Sequence, residues 1–212
     1  MNLFKKRLLL FAALLAAFLL WTASLFFVDV QPIGPLGSRV GLASINRFVH
    51  SLTGVNMTLY TITDWLGLVP IGICACFAAL GLSQWLRRRS LKKADRSLFI
   101  LGGFYLLVMA AYALFEIFVV NRRPVLIGGI LEASYPSSTT MLVLCVIPTT
   151  IMQLRDRVRR RAVRIVLTSM LTAFLVFMVA GRLLSGVHWF SDIIGGMLLS
   201  AGLVALYRAF SS

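Results

Sequence analysis

Residues 165–207 read IVLTSMLTAFLVFMVAG, then RLLSGVHWFSD, then IIGGMLLSAGLVALY. Two uncharged apolar runs flank a short seam that holds Arg182, His188 and Asp192. Ionisable side chains are costly at membrane depth, so their confinement to such a seam marks a membrane edge and a candidate site together. The rest of the chain repeats the design of apolar run, charged seam, apolar run.

Of the 212 residues, 59% are hydrophobic and 13% charged, and mean hydropathy is +0.91. Soluble domains carry about 25% charged residues and do not segregate them this way. Apolar runs fall at 8–28, 65–86, 98–115, 137–154, 165–181 and 193–207. Runs near twenty residues cross a ~30 Å hydrocarbon core as helices, and the shorter ones must begin below the interface or be flanked by protein. We expect an all-α, polytopic membrane protein forming one domain over 1–212, with no internal repeat. Its six spans lie at about 8–28, 65–86, 98–119, 137–154, 163–181 and 190–208. The uncharged part of the first is too long for a signal-peptide core, so it reads as an anchor.

The formal charge of +14 does not indicate nucleic acid, because the basic residues sit between apolar runs. All but five of the 21 Lys and Arg residues fall at the N-terminus, in 87–96, in 155–164 or at Arg208. The five are Arg39, Arg47, Arg122, Arg123 and Arg182. The positive-inside rule then puts both termini in the cytoplasm and the seam at 181–192 outside. Trp65 and Trp189 at outer edges and Trp85 at an inner edge fit an aromatic belt. Cys74, Cys76 and Cys145 lie inside spans and read as small apolar filler.

Between the first two spans, GLASINRFVHSLTG (41–54) places Leu42, Ile45, Phe48, Val49 and Leu52 on one helical face. Asn46, Arg47, His50 and Ser51 lie elsewhere on the helix. This predicts a short amphipathic helix in the outer interface, either packed over the bundle or gating lipid access. Asn56-Met57-Thr58 is a glycosylation sequon by pattern alone.

Three outward segments carry the chemistry: EIFVVNRRPV (116–125), ASYPSSTTM (133–141) and GRLLSGVHWFSD (181–192). His188 and Asp192, four apart at the start of the sixth span, share a helical face. A carboxylate accepting one ring N–H fixes the imidazole tautomer and leaves the other nitrogen as nucleophile or base; the alternative is a pair that only closes a loop. Arg182 adds a fixed cation. After Pro136, the N–H groups of Ser137, Ser138, Thr139 and Thr140 start a helix, and such an end attracts anions; the alternative is simple capping. Arg122 and Arg123 offer guanidinium groups for phosphate oxygens, although Arg122 reads better as a headgroup-level residue.

These segments, in this order, resemble the motifs of the type 2 phosphatidic acid phosphatase family: K-x6-R-P, then P-S-G-H, then S-R-x5-H-x3-D. The resemblance covers 116–192, and the six-span layout extends it to the whole chain. Its third motif matches at Arg182, His188 and Asp192, with Gly181 in place of the leading serine. The resemblance implies a phosphohistidine on His188, orientation of the ring by Asp192, and phosphoryl binding by Arg123, Arg182, Ser137 and the following backbone. It implies no metal or other cofactor. The chain departs from the pattern at Glu116, where the family has lysine, at Ser138, where it has glycine, and at Thr139, where it has its general-acid histidine.

The implied reaction is hydrolysis of a lipid phosphate or diphosphate at the outer ends of the last four helices, in the plasma membrane of a bacterium. A threonine cannot protonate an alkoxide leaving group, whereas a phosphate leaving group is already a stable anion. A polyprenyl or other lipid diphosphate therefore suits Thr139 better than a monoester. Glu116, Glu132 or His50 is an alternative proton donor, and Glu116 is placed to interact with Arg123 two helical turns on. The competing reading is a lipid-phosphate binding or transport protein on the same scaffold.

Overall fold

The computed structural model describes residues 2–88 and 95–211, apart from the Arg88 side chain. Arg89, Lys92 and Lys93, used in reading the orientation, lie outside the described residues. The described chain is built from α1 (Leu3–Phe27), α2 (Ala43–Thr53), α3 (Met57–Leu66), α4 (Leu68–Arg88), α5 (Arg96–Ile117), α6 (Ser138–Arg157), α7 (Arg161–Leu184) and α8 (Phe190–Phe210). Among the described residues, β structure is limited to isolated bridges. Among the described residues, six stretches are long and apolar enough to cross a membrane: α1, α3 with α4, α5, α6, α7 and α8. The molecule is an integral membrane protein.

The second stretch runs from Met57, not from Trp65 as the apolar run suggested. The Asn56 side chain accepts the Leu59 N–H (2.9 Å) and caps α3, so the helix starts before the hydropathy rises. Gly67 separates α3 from α4. Over 31 residues, at ~1.5 Å per residue, this stretch exceeds the hydrocarbon thickness. It therefore brings polar Tyr60, Thr63 and Asp64 into the bundle end.

α6 and α8 form the centre. Half of each apolar window is buried, 50% and 56%, against at most 22% for the others. The core between α1, α5, α6 and α8 contains Phe18, Leu101, Phe104, Met141, Cys145 and Tyr207. A second cluster joins Val143, Ile147 and Met178 of α6 and α7. Gly195 permits the closest approach on α8, since a Cβ there would lie 2.4 Å from the Tyr135 ring. Tyr135 stacks on Phe18, and its hydroxyl meets Thr22 Oγ1 at 2.6 Å, tying the segment before α6 to α1.

The amphipathic segment forms α2, but it packs by its polar side. Asn46 is fully buried; its Nδ2 donates to Gly41 O (2.8 Å) and Ser191 Oγ (3.0 Å), and its Oδ1 accepts from Ser191 N (3.0 Å). Phe48 and Leu52 remain 62% and 71% exposed. An apolar face turned outward suits lipid contact, while the asparagine satisfies buried backbone groups. Trp189 also departs from expectation. Rather than facing the interface, it is buried, meets the His50 ring at a tilt of 49° and donates its indole N–H to Arg122 O (2.7 Å).

Candidate active site

The seam at 181–192 folds back sharply between α7 and α8. Gly186 has φ +67, and a Cβ there would lie 1.7 Å from Gly54 O, so only glycine fits the turn. His50 Nε2 meets Gly186 O at 3.1 Å, and Asn56 N donates to Ser185 O (2.9 Å). The turn delivers Arg182, His188 and Asp192 to one buried place, 1%, 3% and 0% exposed.

His188 Nε2 accepts from Arg182 Nη2 (3.0 Å) and from Arg123 Nη1 (3.4 Å). Its Nδ1 lies 3.2 Å from the Ser134 carbonyl and 3.0 Å from Ser134 Oγ. A carbonyl only accepts, so the partners assign the ring proton to Nδ1 and the lone pair to Nε2. Burial, with the charges of Arg123 and Arg182, holds the imidazole pKa well below its ordinary value. The ring is neutral at physiological pH.

The direct contact expected between His188 and Asp192 is not made: Nδ1 and Oδ2 are 3.9 Å apart. His188 lies before α8 rather than on it, so the helical spacing does not apply. Ser134 Oγ occupies the gap and donates to Asp192 Oδ2. The carboxylate also accepts from Trp189 N (2.9 Å) and Asn121 Nδ2 (3.2 Å). Asp192 therefore caps α8 and anchors Ser134 at once. Ser134 and Asn121 come from the loop between α5 and α6, closed by the Arg122↔Ala133 bridge. Neither forms part of a spacing pattern in the sequence.

The two arginines are held differently. Arg182 Nη1 lies 3.5 Å from Asp64 Oδ1 and 3.5 Å from Thr63 Oγ1, and its guanidinium sits 4.9 Å from the Tyr60 ring centre. Arg123 lies 5.7 Å from the same ring. Its Nε is 3.0 Å from Glu132 Oε2, off line for a hydrogen bond. Its acidic partner is thus Glu132; α5 ends at Ile117, so the helical register proposed between Glu116 and Arg123 does not exist. Glu116 does line a narrow pocket with Arg123, Ser134, Ser138 and His188. Arg122 is exposed and donates to Leu131 O (2.9 Å), outside this group.

The start of α6 is only partly as expected. The Ser137 N–H donates to Asp192 O (3.1 Å) and is unavailable to an anion, while its buried Oγ has no hydrogen-bond partner. Ser138 opens the helix and faces the pocket. Thr139 is not among the pocket walls; its methyl lies 3.6 Å from where a Gly67 Cβ would be. Thr140 faces α8 at Gly196.

The model of the PAP2 superfamily matches residues 103–212, which contain Arg123, Ser134, Ser137, Ser138, Arg182, His188 and Asp192. The chain belongs to the PAP2 superfamily. This PAP2 chain also shares its fold with the crystal structure of the first transmembrane PAP2 type phosphatidylglycerolphosphate phosphatase from Bacillus subtilis. The TM-score is 0.60 over 95% of each chain, at 18% sequence identity. No curated protein matches the chain.

Proposed function

We propose that the protein hydrolyses a lipid phosphate or diphosphate, with His188 as the nucleophile. The observation that carries this reading is a neutral imidazole whose Nε2 faces two arginines, 3.0 and 3.4 Å away, while its Nδ1–H is fixed by Ser134. Mere binding of an anion requires the arginines but not an oriented ring nitrogen.

Arg123 and Arg182 turn from Nε2 to the phosphoryl oxygens as substrate enters, and Ser137 Oγ and the Arg182 Nε supply further buried donors. Nε2 attacks phosphorus in line. The P–N bond forms as the bond to the leaving oxygen breaks, and positive charge on the ring is shared through Ser134 with Asp192. Water then attacks phosphorus, the P–N bond breaks, and inorganic phosphate leaves with His188 neutral again. Catalysis is chiefly positioning and charge stabilisation, which buried guanidinium groups provide.

The leaving group favours a diphosphate, such as a polyprenyl diphosphate. Thr139 replaces a proton donor and does not face the pocket; Glu116 does face it, but as an acid beside an incoming anion. A departing phosphate needs little protonation. By the positive-inside rule the site faces outward, away from the basic loops. This supports action on the outer leaflet of a bacterial plasma membrane.

The test is phosphate release in detergent from matched lipid mono- and diphosphates, comparing wild type with His188→Ala. Release from the diphosphate that is lost in His188→Ala supports the reading. Lipid binding without release by wild type would instead favour a lipid-phosphate binding protein.

A further inference from the structure

The first N–H groups of a helix have no partner within it. At the start of α8, Ser191 N takes its acceptor from α2, donating to Asn46 Oδ1 (3.0 Å) across 145 residues of sequence. Asn46 is fully buried, and its Nδ2 donates to Gly41 O (2.8 Å) and Ser191 Oγ (3.0 Å). A backbone N–H only donates and a backbone carbonyl only accepts, so both sides of this amide are fixed. One turn further along α2, His50 Nε2–H donates to Gly186 O (3.1 Å), and the Gly54 carbonyl packs against Gly186 itself. α2 thus grips residues 186 and 191, on either side of His188.

The Ser191 hydroxyl has a single proton to give. Asn46 Nδ2 and Asn121 Nδ2 (3.4 Å) both donate to its oxygen. The Asn121 amide is oriented in turn by donation to Asp192 Oδ1 (3.2 Å). The Ser191 proton is therefore left for Asp192 Oδ1, 3.5 Å away. The other carboxylate oxygen accepts from Ser134 Oγ and Trp189 N, and Ser134 Oγ then meets His188 Nδ1 as an acceptor. The path Asn46, Ser191, Asp192, Ser134, His188 runs from α2 to the imidazole with the proton direction set at each link.

α2 is itself held in place. Leu42 N donates to Val28 O (2.9 Å) and Ala43 N to Asp29 O (2.9 Å), while Ser44 N donates to Asp29 Oδ2 (2.6 Å). These bonds tie the start of α2 to the segment leaving α1. On the other face of α2, Phe48 and Leu52 stay exposed and take no part in the clasp. α2 lies outside the residues 103–212 that the superfamily model matches, so the clasp reaches the matched segment from outside it.

We propose that Asn46 is a positioning residue for the reaction. Through Ser191 it holds Asp192 and Ser134 so that His188 keeps its proton on Nδ1 and its lone pair on Nε2, while His50 fixes the other end of the turn. This role rests on His188 being the nucleophile. Without the amide, Ser191 N is buried with no acceptor, a costly state, and the Ser191 proton is free to turn away from Asp192. The ring then exchanges between tautomers, and the share with a lone pair on Nε2 falls. Arg182 and Arg123 keep their own partners, Asp64 and Glu132, so anion binding persists.

The chain has two histidines, so ¹⁵N NMR of the histidine-labelled full-length protein reads His188 directly, with His50→Gln identifying the other ring. Wild type is expected to show one His188 tautomer, protonated at Nδ1, and Asn46→Ala a mixture of two. In phosphate-release assays Asn46→Ala is expected to lower kcat by about 10–100-fold. Its inhibition constant for inorganic phosphate should stay within about two-fold of wild type. Ser191→Ala removes only the hydroxyl and keeps the backbone bond to Asn46. It is expected to mix the tautomers and lower kcat by about two- to ten-fold, and it carries the test if Asn46→Ala does not fold. Phe48→Ala, on the exposed face of α2, should leave kcat within about two-fold. A single Nδ1–H tautomer in both Asn46→Ala and Ser191→Ala would overturn the proposal. So would a phosphate inhibition constant that rises in step with the loss of kcat, or an equal loss in Phe48→Ala and Asn46→Ala. The tautomer is read without substrate, so a wild type that releases no phosphate counts against the reaction and not against the clasp.

Discussion

Ser134 Oγ stands between His188 and Asp192, 3.0 Å from Nδ1 and donating to Oδ2, where a direct pair would leave a 3.9 Å gap. Orientation of the nucleophile therefore passes through a hydroxyl. Ser134→Ala is expected to lower kcat by about 10–100-fold, the worth of a hydrogen bond to a charged group, with KM little changed. Ser134→Thr should restore most of the rate. Steady-state phosphate release measures both, and an equal loss in both variants would point to packing rather than the hydroxyl.

Tyr60 serves two cations, with Arg182 at 4.9 Å and Arg123 at 5.7 Å from its ring centre. Tyr60→Leu removes the aromatic face but keeps much of the bulk. Cation–π contacts contribute ~0.5–2 kcal/mol, so kcat/KM should fall by a few-fold to about thirty-fold. A rate profile identical to wild type would show that Asp64 and Glu132 position the arginines unaided.

Protonation of His188 consumes the attacking lone pair. Burial first, then Arg123 and Arg182, depress its pKa, so the neutral form persists as pH falls below the usual histidine range. The acidic limb of kcat/KM should therefore lie below about 6.5, the free imidazole value. Removing one cationic cause with Arg182→Ala should move that limb upward. Measuring both proteins on the same substrate cancels the substrate's own ionisation, and a limb that stays in place would contradict the assignment.

Thr139→His restores the residue type of the family motif. General acid catalysis contributes ~10²–10⁴-fold where an alkoxide leaves. Monophosphate turnover should rise by at least about ten-fold, while diphosphate turnover stays within about two-fold. Since Thr139 does not line the pocket, the longer imidazole must reach past the start of α6. Parallel gains on both substrates would remove the leaving-group argument.

Much of this was legible in the sequence, for reasons that differ by residue. Arg182, His188 and Asp192 stood out because charge is rare beside apolar runs, and the structure gathers them with Arg123. Tyr60, Thr63 and Asp64 fall just outside the apolar run at 65–86, because hydropathy marks only the apolar part of a helix. The usable signal was Asn56 as a cap, followed by polar residues three and four apart. Ser134 and Asn121 gave no such signal, since they meet through a loop bridge and not through helical spacing. Trp189 was misread because an indole at a span end satisfies a buried carbonyl as well as a headgroup. Helical spacing puts Ile45, Phe48 and Leu52 on one face of α2, but which face packs depends on Asn46 meeting Ser191.

The central claim is that phosphorus becomes bonded to His188 Nε2. Rapid acid-free quenching of the enzyme with lipid diphosphate carrying ³²P in the transferred group, followed by peptide mapping, tests this directly. The account predicts label on the peptide containing His188, stable to alkali and released by acid, and absent from His188→Asn. Phosphate release at the wild-type rate with no label at His188, or label that persists in His188→Asn, would contradict it.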